Sequence, residues 1–88
     1  MAKRNPDDIA LDRKIAIRIK ELRKEIDANQ KRFAEDRGLD RQILNRWEST
    51  TNDRGVSIHT INKFCELIGM ELKDFFDSKP FKKTQKET

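Results

Sequence analysis

The sequence predicts an all-α fold of five short helices, and three observations carry that prediction. Apolar residues recur at three- and four-residue spacing along most of the chain, the period of a helix with one buried stripe. Residues that favour helix starts (Asn29, Asp40, Ser57) and helix stops (Gly38, Gly69) stand at the edges of those stretches. The 88 residues are also lean in apolar side chains, 34% against 41% charged, and Leu, Ile, Val and Phe together supply only 21. A chain so small and so charged builds a core most readily from local helical contacts, completed where needed by a second subunit.

The first stretch carries Leu11, Ile15, Ile19, Leu22 and Ile26 in one stripe, with Arg18, Lys20, Glu21, Arg23, Lys24 and Glu25 outside it. Asp7, Asp8 and Asp12 are alternative caps for its start. Residues 1–8 read as a flexible arm, 9–78 as the folded region and 79–88 as a basic flexible tail. Asn29 caps a second helix from Gln30 to about Arg37, and Gly38 can end it in a left-handed conformation. Asp40 caps a third helix, Arg41 to Glu48. Two helices joined by about three residues around a glycine make a helix-turn-helix pattern. Residues 49–56 are a polar loop with turn chemistry. Ser57 then caps a fourth helix with Ile58, Ile61, Phe64, Cys65 and Ile68 on one face, and Gly69 closes it. A last short helix, about Glu71 to Phe76, offers Leu72, Phe75 and Phe76 to the core or to a partner.

Composition removes several function classes. Cys65 is the only cysteine and His59 the only histidine, which excludes an intrachain disulfide, a thiolate zinc cluster and two-histidine metal motifs. No aliphatic run is longer than three residues, as in Ile15-Ala16-Ile17, too short for a signal peptide or a membrane span. No nucleophile–base pair, carboxylate dyad or phosphate loop is visible. The expectation is a cytoplasmic, reduced, soluble protein that is not an enzyme and takes no cofactor, metal or evident small-molecule effector. The net charge of +4 hints at a polyanionic partner. Four Lys and one Glu in 79–88 carry most of that excess, so the folded region itself is close to neutral.

The third helix holds the more specific signal. At 100° per residue, Leu44 and Trp47 share one side, where they can pack against Phe33 and Ala34. Arg41, Gln42 and Asn45 fall on the other side, with Arg46 at its margin. Four polar residues on a short helix are usually a solvated face, but these are also the side chains that read base edges. Arginine suits guanine, and glutamine or asparagine suits adenine.

The matching residues run through the chain. They are Ile19-Lys20-Glu21-Leu22-Arg23, then Gln30, Ala34 and Gly38, then Leu44, Arg46-Trp47-Glu48, Ser57-Ile58, Leu67-Ile68-Gly69 and Phe75-Phe76. With these, Ile15 to Phe76 resembles the DNA-binding domain of the phage repressor/Cro (Xre-type) helix-turn-helix family. The resemblance implies that the third helix enters the major groove of double-stranded DNA, with Arg41 and Gln42 foremost and Asn45 and Arg46 behind them. It also implies that Gln30 hydrogen-bonds a phosphate and braces a recognition-helix side chain. Thr50, Asn52 and Arg54 are further phosphate candidates. Their loop, however, lacks the family's Asn-Gly pair with following basic residues and proline, and is about two residues longer. The implied function is transcriptional regulation, as a repressor binding an inverted repeat as a homodimer. Phe75 and Phe76, with Met70 and Phe81, are the dimer candidates, one of the two Phe residues being expected to complete the monomer core. The alternative is a protein-interaction module, an antitoxin or adaptor that binds a protein partner with or without DNA.

Overall fold

Pro6 opens the first helix in a computed structural model of the chain, which describes residues 6–51, 56–78 and 81. The helix, α1 (Pro6–Ile26), starts inside the segment that the sequence assigns to a flexible arm. Local chemistry accounts for the difference: proline in the first turn forfeits no hydrogen bond, and Asp7 and Asp8 sit where the helix dipole favours acid. Four more helices follow among the described residues, α2 (Gln30–Asp36), α3 (Arg41–Trp47), α4 (Ile58–Ile68) and α5 (Leu72–Phe75), and no strand. The all-α expectation therefore holds, and the bounds of α2 to α5 fall within two residues of their predicted places.

The chain divides into two compact units, Met1–Ser57 and Ile58–Thr88. In the first, α2 packs on both α1 and α3. Its buried apolar side chains are Ile15, Ala16, Ile19, Leu22, Phe33, Ala34 and Leu44. Ala34 has no exposed surface, as expected of a residue kept small by a close crossing. Burying a side chain such as Leu44 contributes about 1.5–3 kcal/mol.

Two expectations about α1 need correction. Leu11 and Ile26, the ends of the predicted stripe, are each 46% exposed. The neighbouring α2 has seven residues, roughly 10 Å, and cannot cover a helix about 30 Å long. Arg23, assigned to the solvent side, is instead 4% exposed. Trp47 is half-buried rather than a full core residue like Leu44.

The connection between α2 and α3 is a tight glycine stop. The Leu39 amide donates to the Ala34 carbonyl at 2.8 Å and the Gly38 amide to the Glu35 carbonyl at 3.2 Å. Gly38 has φ +64°, a left-handed value that costs a β-carbon-bearing residue about 1–2 kcal/mol.

In the second unit α4 packs on α5, and Ile61, Phe64, Cys65 and Phe75 are buried. Phe75 meets Phe64 edge-on at 6.3 Å between ring centroids and Phe76 at 5.0 Å. Phe81 completes the cluster, 5.0 Å from Phe76. Phe75 has no exposed surface, so its proposed dimer role is corrected: it belongs to the core of this unit. Phe76 stays half-buried.

Candidate DNA-reading face

The start of α3 is fixed by its cap. The Asp40 carboxylate accepts from the Gln42 amide at 2.8 Å, satisfying one of the four amides that a helix start leaves without a carbonyl. At α2 the Asn29 side chain accepts from the Arg32 amide at 3.0 Å in the same way. These caps set the direction of both helices, and Leu44 anchors the inner side of α3. Arg41, Gln42, Asn45 and Arg46 are exposed. Among the described residues, the side chains of Gln42, Asn45 and Arg46 make no hydrogen bond or ion pair, so their polar groups are available to a ligand.

Behind this face lies a polar relay that sequence reasoning missed. Arg23 donates through Nε to Glu48 Oε2 at 2.9 Å and through Nη2 to Oε1 at 3.0 Å, a two-pronged pair across 25 residues. Its remaining prong holds the backbone, with Nη1 donating to the carbonyls of Asp27 at 3.2 Å and Ala28 at 2.8 Å. The hydrogen bond to Glu48 raises the pKa of Arg23 above its ordinary value despite burial. Glu48 is itself only 8% exposed. Losing either member would strand a buried charge, a change that typically costs about 3–5 kcal/mol.

Gln30 extends the relay outward. Its Nε2 donates to Glu48 Oε1 at 3.1 Å, and its Oε1 accepts from Arg41 Nε at 3.4 Å. Gln30 thus touches an α3 side chain, and the second N–H of its amide has no partner among the described residues. The only sequence signal for Arg23 and Glu48 was that two unlike charges recur in the family-like pattern; periodicity assigned Arg23 to solvent.

A polar cleft of about 470 Å³ opens beside the relay, lined by Lys20 and Arg23 of α1, Gln30, Asn45, Glu48 and the turn residues Ser49, Thr50 and Thr51. Lys20 has no ion-pair partner among the described residues. Thr50 is exposed beside the Ser49 and Thr51 hydroxyls, which lie 3.1 Å apart. Asn52 and Arg54 lie outside the described residues. No described helix is long and apolar enough to cross a membrane, and no described cluster of His, Cys, Asp and Glu could hold a metal ion.

Comparison with known proteins agrees with this geometry. The profile of the Cro/C1-type HTH DNA-binding domain matches residues 11–80, well over half of the chain. No curated protein and no solved structure matches. The matched span takes in the capped helix pair, the glycine stop between its helices and the outward polar face of α3. This chain belongs to the Cro/C1-type helix-turn-helix family of DNA-binding regulators.

Proposed function

We propose that the protein is a sequence-specific transcriptional repressor that binds an inverted repeat in double-stranded DNA as a homodimer. The observation that carries this reading is the contrast between the two sides of α3. The inner side is anchored by Leu44 and the relay, while Gln42, Asn45 and Arg46 are exposed and their side chains hydrogen-bond to no other described residue. Arg41 and Gln42, in the first turn of α3, read base edges; Asn45 and Arg46 follow one turn on. Gln30 and Thr50 hold phosphates, and Lys20 adds a contact from α1 that the sequence did not suggest. Asn52 and Arg54 complete the phosphate set.

One seven-residue helix contacts too few bases for tight selective binding, and a dimer doubles both base and phosphate contacts. Two half-sites one helical turn apart, ~34 Å, follow from that symmetry. Phe76, half-buried in the aromatic cluster, is the better dimer candidate now that Phe75 is enclosed.

Selection of duplexes from a random library tests the base readers. Arg41→Ala and Gln42→Ala should each relax preference at one position of each half-site, at a cost of roughly 1–3 kcal/mol there. Unchanged preferences in both variants would refute the assignment.

A further inference from the structure

The solvent side of α1 is divided into two faces of different charge. At 100° per residue, Ile9, Arg13, Ile17, Lys20 and Lys24 fall within an arc of about 80°. All five are exposed, the two isoleucines by 38% and 42%. No carboxylate of α1 falls inside that arc. The neighbouring face mixes its signs, with Asp7, Glu21 and Glu25 beside Lys14 and Arg18. Mixed charge is the ordinary state of a solvated helix surface, where opposite charges at i, i+4 support one another. The first face forgoes that support. The side chains of Arg13, Lys20 and Lys24 have no hydrogen-bond or ion-pair partner among the described residues. Nor does packing account for it: the seven residues of α2 span roughly 10 Å, and the turns that carry Ile9 and Arg13 keep this face uncovered.

We propose that this face of α1 is a second DNA-backbone surface, on which Arg13 takes a phosphate outside the stretch that α3 reads; this rests on the DNA-reading role given above to α3 and Lys20. Lys20 lines the polar cleft together with Asn45 and Thr50, which ties the basic face to the DNA-reading side of the same unit. Arg13 lies seven residues before Lys20, about 20° around the helix and about 10 Å along its axis. That distance is about three base-pair steps at 3.4 Å each, so a strand lying against Lys20 offers Arg13 a phosphate of its own. A guanidinium suits the contact because it donates in a fixed fork and keeps its charge. Ile17, between the two cations, brings no carboxylate to compete with the phosphate for either of them.

Phosphate-ethylation interference on the duplex that wild type selects, with salt titrations, compares wild type with Arg13→Ala, Lys20→Ala and Lys14→Ala. Ethylation of a contacted phosphate should block wild-type binding. Arg13→Ala should become indifferent at one phosphate of each half-site, and not the one at which Lys20→Ala becomes indifferent. Its affinity should fall by the same factor on selected and random duplexes. The salt slope should become shallower by roughly 2, at about 0.9 for each of the two phosphates lost per dimer. Arg13→Lys should keep both the phosphate and the slope. Ile17→Glu, which sets a carboxylate one turn from Arg13, should weaken binding to every duplex more than Ile17→Gln does. Lys14→Ala, on the mixed face, should match wild type. Unchanged phosphate contacts and slope in Arg13→Ala, or an equal loss in Lys14→Ala, overturns the proposal while leaving the base-reading face intact. A wild type that selects no duplex overturns both.

Discussion

Arg23 shows how a charged side chain can occupy an inward position when its fork is filled. Periodicity along α1 marks it as solvent-facing, since a helical wheel counts charge against burial. Yet its guanidinium has a carboxylate and two carbonyls within bonding distance and is 4% exposed. The partner lies 25 residues away, beyond the reach of any local pattern. Asp27, four residues later, is a pair of a simpler kind. Arg32 donates to both of its oxygens at 2.7 Å, and the Asn29 amide donates at 2.9 Å. The Arg32 hydrogen bond, helped by that of Asn29, lowers its pKa from the ordinary 3.8 to about 2. A depressed carboxylate stabilises the fold fully above its unfolded value and loses that contribution as pH falls through its folded value. Asp27→Asn should therefore narrow the stability gap between neutral pH and pH 2, measured by thermal melts across that range. An acid-induced loss of the same size as in wild type would show that other carboxylates carry it.

The helix-turn-helix element was the most legible part of the sequence. Asn29, Gly38 and Asp40 act on their nearest neighbours, so cap and stop chemistry is written within a few residues of where it operates. No heavy atom lies within 4 Å of a β-carbon built on Gly38, so its backbone angle, φ +64°, is the sole demand for glycine there. Gly38→Ala should destabilise the protein by about 1–2 kcal/mol in denaturant melts, and Gly38→Asn by less. An alanine variant as stable as wild type would mean that the turn relaxes out of the left-handed region. The ends of α1 were less legible. A stripe of Leu11, Ile15, Ile19, Leu22 and Ile26 states which face is apolar, not how much of it a seven-residue neighbour will cover.

At the scale of the whole molecule, the predictions concern charge and assembly. A dimer with roughly eight to ten phosphate contacts should lose affinity with salt at a slope near −7 to −9. Lys20→Ala removes one contact per protomer and should make the slope shallower by roughly 2, equally for all sequences. Lys14→Ala, about 120° around α1 from Lys20, should leave it unchanged. An unaltered slope in Lys20→Ala would remove the cleft from the phosphate-binding surface. Sedimentation should give a dimer for wild type, and Phe76→Ala should shift it toward monomer; a wild-type monomer with and without operator DNA would end the dimer reading.

Periodicity, caps and glycines were enough to specify an all-α chain, the placing of its helices and the outward polar face of α3, because each is a short-range property of neighbouring residues. Three-dimensional packing settled the rest. It turned Arg23 inward, enclosed Phe75 while leaving Phe76 half-covered, and brought Glu48, Gln30 and Arg41 into one line of hydrogen bonds. Those outcomes depend on distances between residues far apart in the chain, which spacing along a helix does not encode.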